Sequence, residues 1–304
     1  MIIPPFLKPG DKFAIISPSG TVLSERVDGA VRAIEKWGFM PVVGKYCKEE
    51  FTAYGVVSHS APAQHRLSDL QEALNDPQVR AILCSRGGYG AVHLLEHLDL
   101  DQLARDPKWL IGFSDISALH AAWHHANVVS IHSPMAKHLT LYDNENETNH
   151  INYNIITGKG LPTYNESPHI HNRNGIATAT ITGGNLAVIM GLLATPYNLI
   201  KPGNILFIED VAEQVYQVQR LLYHLKLADI LPRLAGLIVG QFTKHRGDDT
   251  SAMYDMIHDM VAPYDYPVAF NFPIGHTQRN VPIVEGTTAT LEVSDTNVKL
   301  AFKY

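Results

Sequence analysis

In the first 134 residues, short apolar runs alternate with amphipathic stretches, and this alternation restricts the chain to few folds. The amphipathic stretches read as helices and lie at 24–37, 63–76, 90–99 and 116–127. The apolar runs read as strands and lie at 12–20, 39–45, 79–90, 108–115 and 128–134. Strands that alternate with helices and are apolar on both faces indicate a parallel sheet covered by helices on each side. The sequence therefore predicts an α/β fold for this half of the chain.

Three of the predicted strands end in turns rich in glycine and serine. These turns are SPSG (17–20), SRGGYG (85–90) and GFSD (112–115). In a parallel sheet, functional groups collect just beyond the carboxyl ends of the strands. We therefore expect the three turns to come together.

The second half of the chain has a different character. Residues 140–175 are polar, rich in asparagine and weakly periodic, which favours an irregular crossover or linker. Beyond them, several apolar runs, a helix at 213–231 and a C-terminal hairpin turned at 294–297 indicate a smaller, mixed β/α domain. The predicted boundaries are a first domain at 1–160, a linker at 161–175 and a second domain at 176–304.

Composition excludes several classes of protein. The chain is 45% hydrophobic and 18% charged, as globular proteins are, and its net charge of −6 favours neither nucleic acid nor an anionic membrane as a partner. No apolar run approaches the length of a membrane span, and the N-terminus does not resemble a secretory signal. The two cysteines lack metal-ligand spacing and suit a reducing compartment. We therefore expect a cytoplasmic protein.

Ser114, in GFSDIS (112–117), lies where a predicted strand turns into a helix. A serine nucleophile needs an exposed Oγ, a neighbouring base and backbone N–H groups directed at the developing oxyanion. A strand-turn-helix corner provides exposure and unpaired N–H groups together. The motif is similar to a nucleophile elbow, although it lacks the second glycine of Gly-x-Ser-x-Gly. The alternative is that Ser114 or Asp115 only caps the following helix.

The glycine-rich turn SRGGYGA (85–91) also permits more than one interpretation. It matches neither the Walker pattern nor the dinucleotide fingerprint, so a nucleotide site is weakly supported. Beside Ser114, its N–H groups could complete an oxyanion hole, or it could be a plain tight connection between a strand and a helix.

Two further candidates follow apolar runs later in the chain. Glu209 and Asp210 end NILFIED (204–210), where a carboxylate could orient a histidine or simply be a solvated strand-end charge. His276 follows a glycine in FPIGHT (272–277). We predict no zinc site and no other metal site in this sequence. Serine, acid and histidine, each at a strand end, together favour a serine hydrolase.

With these residues in view, the sequence resembles the LD-carboxypeptidase family of serine peptidases. The similarity extends over nearly the whole chain and follows the family's order of motifs. The matching segments are LKPGDKFAIISPSG, SRGGYGA, GFSDIS, HSPM (132–135), TGGNL (182–186), LFIEDVAE (206–213), LAGLIVGQF (234–242) and NFPIGHT (271–277).

The resemblance implies a role for each candidate. Ser114 matches the family nucleophile, Glu209 the triad acid and His276 the general base, while Gly88 and Asp115 match the residues whose N–H groups form the oxyanion hole. It also implies a flavodoxin-like N-terminal domain that carries the nucleophile and a smaller β/α domain that carries acid and base. Members need no metal or other cofactor and commonly form homodimers.

The implied reaction is hydrolysis of the L,D-peptide bond that releases the terminal D-alanine of a murein tetrapeptide, a small peptide from peptidoglycan recycling. Arg86 and Asn185 are candidates for substrate contacts, and the alternatives are a surface arginine and a turn asparagine.

Two other functions remain open. One is a microcin-immunity type of serine peptidase that cleaves a peptidyl-nucleotide amide, with Tyr89, Tyr142 or Tyr216 as a shelf for the base. The other is a non-catalytic, flavodoxin-like binding module.

Overall fold

A computed structural model describes residues 1–141, 147–243 and 251–304 and divides the chain into two compact units. Unit 1 comprises Met1–Leu161 together with Pro282–Val284, and unit 2 comprises Pro162–Val281 together with Glu285–Tyr304. Tyr142, one of the three tyrosines considered for a base shelf, lies outside the described residues. Within the described ranges, no helix is both long and apolar enough to cross a membrane.

Unit 1 alternates strands and helices along the chain. Its strands up to residue 161 are β1 (Lys12–Ile16), β2 (Met40–Val43), β3 (Phe51–Ala53), β4 (Val57–His59), β5 (Val79–Cys84), β6 (Trp109–Gly112) and β7 (Ser130–His132). Its α-helices are α1 (Ser24–Lys36), α2 (Ala63–Asn75), α3 (Leu100–Arg105), α4 (Ser117–His125), α5 (Ala136–Leu141) and α6 (Glu147–Ile156). Among its described residues, unit 1 also has 3₁₀ helices at Ala91–His97 and Ser114–Ile116.

The elements that follow are dominated by strands. They are β8 (Thr163–Glu166), β9 (Gly175–Asn185), β10 (Ile205–Val211), β11 (Gly236–Thr243), β12 (Val268–Ala269), β13 (Ile283–Glu285), β14 (Thr288–Val293) and β15 (Val298–Lys303). The helices are α7 (Leu186–Met190), α8 (Val215–Leu227), the 3₁₀ turn Leu231–Arg233 and α9 (Ser251–Val261).

The sheet of unit 1 has the strand order β13-β7-β6-β5-β1-β2. The pairs β1–β2, β1–β5, β5–β6 and β6–β7 are all parallel. Without the separate β3–β4 hairpin, the parallel strands follow the flavodoxin-like order 2-1-3-4-5, in which the direction of winding reverses between β1 and β5. The predicted α/β class and flavodoxin-like first domain are therefore confirmed.

Burial explains why this sheet could be recognised from sequence. All four residues of β6 are buried, as are five of the six residues of β5, because helices cover both faces. Helix α2 buries Leu70 and Leu74, one turn apart, on the face that packs towards the sheet.

The sheet of unit 2 is mixed, as predicted. Its order is β12-β11-β10-β9-β14-β15-β8, with parallel pairing from β12 to β9 and antiparallel pairing from β9 to β8. The predicted C-terminal hairpin is present as β14–β15, and the N–H of Ser294 donates to the carbonyl of Asn297 at 2.9 Å in its turn. Gly183 lies where a Cβ would come within 2.0 Å of the Phe207 carbonyl oxygen, so the close approach of β9 and β10 requires a glycine there.

Two segments differ from the sequence interpretation. The stretch 90–99 forms a 3₁₀ helix over Ala91–His97 instead of an α-helix. The polar region 140–175 contains helix α6 and, inside the predicted linker, strand β8. The sequence pattern did not indicate helix α6 because its buried face includes asparagines. Asn152 is buried, and its Nδ2 donates to Ser133 Oγ at 2.8 Å.

Candidate active site

Ser114 lies at a strained corner immediately after β6. Its φ of 66° is in the left-handed region, which costs free energy for a residue with a Cβ and is common at functional sites. The 3₁₀ helix begins at Ser114 itself and runs directly into α4. Among the described residues, neither of these helix starts has a side-chain cap. A corner of this kind is compatible with a nucleophile elbow, and the role of Ser114 as the nucleophile stays a prediction.

The three glycine- and serine-rich turns come together, as predicted. The N–H of Gly20 donates to the Gly87 carbonyl at 3.0 Å, and the Ser19 hydroxyl donates to the Asp115 carboxylate. A Cβ built on Gly87 would lie 2.9 Å from Ser114 Cβ and 3.0 Å from its Oγ. The loop after β5 therefore lies directly against the serine, and only a glycine fits at the point of contact.

The two residues expected to supply oxyanion donors belong to this same group of turns. Gly88 has a φ of 124°, a conformation that favours glycine, and it follows the residue that touches Ser114. Asp115 lies in the first turn of the helix, where backbone N–H groups lack intrahelical acceptors. Its carboxylate also accepts from the N–H of Ala91 at 2.8 Å and so connects the two loops.

Arg66 is a residue of this region that the sequence interpretation missed. It is only 2% exposed, and its guanidinium donates to the carbonyl oxygens of Ala61, Pro18 and Gly90. Burial lowers the pKa of Arg66, while the nearby Asp115 carboxylate raises it. The signal was available, since Arg66 lies one helical turn from the buried Leu70 on the face of α2 that packs inward.

His120 contacts the backbone at the end of β6, next to the corner at Ser114. The Nε2 atom of this buried histidine lies 2.9 Å from the Gly112 carbonyl, which also accepts from the N–H of Ser133 at 2.9 Å. Its Nδ1 lies 2.8 Å from Ser130 Oγ. Burial lowers the pKa of His120 to about 4, so the ring is neutral at physiological pH.

The acid and the histidine predicted from the second half form a pair in unit 2. Glu209 lies in the buried part of β10 and is fully buried, and its Oε2 lies 2.8 Å from His276 Nδ1. The His276 side chain is 22% exposed. A Cβ on Gly275 would lie 2.9 Å from that same Oε2, so the glycine before His276 lets the loop approach the carboxylate.

The loop that carries His276 is held by its own hydrogen bonds. The N–H of Gly275 donates to Asn280 Oδ1 at 3.0 Å, and the N–H of Val281 donates to the Pro273 carbonyl at 2.8 Å. Arg279 forms two hydrogen bonds of 2.8 Å to the Glu166 carboxylate on β8. Such a fork-to-fork pair fixes direction as well as distance.

The two predicted substrate contacts already have partners within their own units. Arg86 is exposed and donates to the Thr21 carbonyl at 2.8 Å. Asn185 is buried; its Oδ1 caps helix α7 through the N–H of Val188, and its Nδ2 donates to Asp210 Oδ1 at 2.8 Å. The role of each in substrate binding stays a prediction.

Asp210 follows Glu209 in β10 and is the carboxylate that Asn185 contacts. Burial, together with the adjacent Glu209 carboxylate, raises the pKa of its carboxyl to about 6. Because Asp210 accepts from Asn185 and from the N–H of Ala187, it anchors the start of α7, whereas its neighbour Glu209 orients His276.

Comparison with known proteins decides the family. The sequence model of the protein family described as the LD-carboxypeptidase N-terminal domain matches residues 13–133. The family model of the LD-carboxypeptidase C-terminal domain matches residues 178–291, and the two matches together cover more than half of the chain. The chain belongs to the LD-carboxypeptidase family.

Relatives in this family agree over nearly their full length. The probable murein peptide carboxypeptidase of Bacillus subtilis is 28% identical over 298 residues, which covers 96% of this chain and 92% of that protein. The murein tetrapeptide carboxypeptidase of Pseudomonas aeruginosa is 28% identical over 290 residues, covering 92% and 93%. The crystal structure of muramoyltetrapeptide carboxypeptidase from Oxalobacter formigenes has the same fold, with a TM-score of 0.82 at 24% identity over 96% of this chain and 99% of that one.

The LD-carboxypeptidase family also includes a relative with a different name. The microcin C7 self-immunity protein MccF of Escherichia coli is 24% identical over 330 residues, which covers 96% of this chain and 92% of that protein. Family membership therefore supports a peptidase and leaves its substrate to be determined.

Proposed function

We propose that this protein is a serine-type LD-carboxypeptidase that releases the terminal D-alanine from murein tetrapeptide. The observation that carries the proposal is the contact between the buried Glu209 carboxylate and His276 Nδ1 at 2.8 Å. The names of the relatives from Bacillus subtilis and Pseudomonas aeruginosa support the substrate class.

The Glu209–His276 contact selects the form of the ring that a general base needs. A carboxylate accepts a hydrogen bond, so Nδ1 carries the hydrogen and Nε2 of the neutral ring keeps its lone pair. Glu209 also stabilises the imidazolium that forms once Nε2 has taken a proton. The proposed mechanism requires this Nε2 to reach Ser114 Oγ.

The proposed reaction is acyl transfer in two stages. His276 takes the proton of Ser114 while Oγ bonds to the carbonyl carbon of the penultimate residue. The C–N bond then breaks, and the imidazolium gives its proton to the departing D-alanine amine. Water, deprotonated by the same Nε2, hydrolyses the acyl-enzyme and restores Ser114.

The backbone donors of Gly88 and Asp115 are assigned to the oxyanion in this proposal. Both belong to turns that meet at Ser114, and an N–H that is already in place stabilises the developing charge without reorganisation. No step in this scheme uses a metal or other cofactor. We also assign the protein to the cytoplasm, as its composition and cysteine usage suggest, and propose a homodimer, as the family resemblance implies.

The direct test is release of D-alanine from purified murein tetrapeptide. We expect turnover by the wild type and a loss of at least about 1,000-fold in Ser114→Ala, as for other serine nucleophiles. Ser117→Ala is the matched control, since Ser117 is a buried serine three residues further along the same corner. Equal turnover by Ser114→Ala would contradict the nucleophile assignment.

The relationship to MccF supports a second candidate, cleavage of a peptidyl-nucleotide amide. Tyr89, on the loop next to Ser114, is 53% exposed, and its ring lies among those of His59 and His93, at centroid distances of 6.0 and 5.2 Å. Tyr216 is 59% exposed, with the Arg220 guanidinium over its ring.

One comparison separates the candidates. An aminoacyl sulfamoyl adenosine and murein tetrapeptide are offered to the same preparation, and the released products are measured. Cleavage of the nucleotide conjugate without release of D-alanine selects the second candidate. Saturable binding of tetrapeptide without any cleavage selects a binding module.

A further inference from the structure

Ser19 lies in the turn SPSG after β1, and its side chain has no role in the proposed reaction. It is completely buried, and a buried hydroxyl in a folded protein normally has a hydrogen-bond partner. Here the partner is Asp115, since the Ser19 hydroxyl donates to Asp115 Oδ2. The bond joins residues 96 positions apart and connects this turn to the residue immediately after Ser114.

The Ser19 hydroxyl also lies next to Gly88, the other residue expected to supply an oxyanion donor. A Cβ built on Gly88 would lie 3.5 Å from Ser19 Oγ and 3.0 Å from Gly20 Cα. The backbone here is held as well, because the N–H of Gly20 donates to the carbonyl of Gly87 at 3.0 Å. One hydroxyl is therefore adjacent to both residues whose N–H groups are assigned to the oxyanion.

The Asp115 carboxylate has a second donor on the glycine-rich turn. Its Oδ2 accepts from the N–H of Ala91 at 2.8 Å, and the carbonyl of the same peptide unit, that of Gly90, accepts from the Arg66 guanidinium at 2.8 Å. An acceptor on its N–H and a donor on its C=O fix the orientation of this peptide. Asp115 is only 4% exposed, so water competes little for these bonds.

The backbone that carries Ser19 is fixed before its hydroxyl reaches Asp115. The Arg66 guanidinium donates to the carbonyl of Pro18, and the N–H of Ser60 donates to the carbonyl of Ser19 at 3.1 Å. The Ser60 hydroxyl donates to the carbonyl of Ser17 on the same turn. Ser19 Oγ is therefore presented from a backbone held on both sides.

We propose that Ser19 is a positioning residue for the oxyanion hole and acts through the Asp115 carboxylate. The proposal rests on the proposed function, in which the N–H groups of Gly88 and Asp115 stabilise the oxyanion. Such donors are effective when they are in place before the charge develops. The side chain and the N–H of Asp115 belong to one residue, so a bond that restricts the carboxylate also restricts the turn that carries the donor.

The expected effect is on the transition state, because Ser19 contacts no reacting atom in the proposed scheme. Complete loss of one oxyanion donor costs about 100- to 1,000-fold in kcat, and a donor that is only displaced should cost less. We therefore expect Ser19→Ala to lower kcat about 10- to 100-fold and to leave KM within about twofold.

The test is the D-alanine assay with murein tetrapeptide, and Ser60→Ala is the matched control. Ser60 is as buried as Ser19, and its hydroxyl holds a carbonyl of the same turn instead of the Asp115 carboxylate. The two variants should lose similar melting temperature, whereas only Ser19→Ala should lose kcat. Unchanged kcat in Ser19→Ala, or an equal loss in both variants, overturns the positioning role.

A double-mutant cycle tests whether Ser19 acts through Asp115. Asp115→Ala removes the acceptor, so the Ser19 hydroxyl has no carboxylate left to hold. In that background, Ser19→Ala should change kcat less than about threefold, although it costs at least tenfold in the wild type. Losses that multiply fully would show that the two side chains act independently, and would overturn the proposal.

Hydrogen–deuterium exchange followed by mass spectrometry separates this inference from the proposed function, since it needs no substrate. Ser19→Ala should speed exchange of the backbone amides in the segments 85–91 and 112–117, and Ser60→Ala should not. A wild type that releases no D-alanine contradicts the proposed function, and these exchange rates still decide whether Ser19 positions the two segments. Wild-type exchange rates in both segments of Ser19→Ala overturn the inference, whatever the substrate.

Discussion

His120 donates a hydrogen bond from Nε2 to the carbonyl oxygen of Gly112, two residues before Ser114, at a distance of 2.9 Å. The carbonyl also accepts the N–H of Ser133, so the end of β6 is held from two directions. The strained φ of Ser114 follows immediately, and strain of this kind persists only where the surroundings fix the backbone.

The pH dependence of stability should report this buried ring. The pKa of His120 is about 4 in the folded protein and about 6.5 in an unfolded chain, so the unfolded state binds more protons between these values. The contribution of the neutral ring is complete above pH 6.5 and is lost as the pH falls towards 4. We expect wild type to lose about 3 kcal/mol more than His120→Asn between pH 7 and pH 4, measured by urea unfolding. Parallel curves for the two proteins would contradict this assignment.

Gly87→Ala should damage catalysis more than stability. The new Cβ would lie 2.9 Å from Ser114 Cβ, so the nucleophile or the loop must move. A displacement of this size is expected to reduce kcat about 100-fold in the D-alanine assay. Gly191→Ala is the control, since its new Cβ meets nothing closer than 3.3 Å. Comparable kcat values for the two variants would show that the approach of Gly87 to Ser114 is not required.

His276→Ala should lose activity without losing the fold. Its side chain is partly exposed on a loop held by Asn280 and Arg279, so the core is not altered. We expect kcat to fall at least about 1,000-fold with a change in melting temperature of only a few degrees. A large drop in melting temperature would point to a structural role.

Glu209→Gln tests the tautomer argument. An amide can donate as well as accept, so it no longer selects the ring form with a free Nε2 lone pair. We expect kcat to fall between about 100- and 10,000-fold with little change in KM. The measurement is kcat in the D-alanine assay, and an unchanged kcat would contradict the selection of this tautomer by Glu209.

Arg66→Lys should loosen the loops around Ser114. A lysine ammonium cannot reproduce the planar fork that contacts three carbonyls, so at least one buried acceptor loses its partner. We expect the free energy of unfolding to fall by about 1–3 kcal/mol and kcat to fall about tenfold. Arg105→Lys, at an exposed position on α3, should change neither quantity. An unchanged kcat in Arg66→Lys would show that Arg66 does not affect the geometry of the loops around Ser114.

The elements that could be predicted from the sequence are those whose residues follow one regular hydrophobic pattern and are bounded by recognisable turns. The strands β5 and β6 are apolar on both faces, and the turns after them contain the glycines and serines that mark a site in a parallel sheet. The β14–β15 hairpin was readable because its turn and its alternation agree.

The parts that escaped prediction have polar residues in the core. Helix α6 buries Asn149 and Asn152, so hydrophobic periodicity alone does not identify its buried face. Helix α2 was predicted, but its buried Arg66 was not, because arginine is normally expected at the surface. Long-range contacts escaped for a different reason. The meeting of His171 with Asp255 depends on how α9 folds back, which no local pattern records.

The return of the chain to the first sheet has a consequence for synthesis. Residues 282–284 belong to unit 1, and β13 is the outermost strand next to β7. During synthesis on the ribosome, β7 therefore lacks its neighbour β13 until most of unit 2 has been translated. A fragment ending near residue 161 would keep that edge exposed, and exposed edges invite pairing with other chains. We expect such a fragment to aggregate, so a cut near residue 161 should not yield a first half that folds on its own.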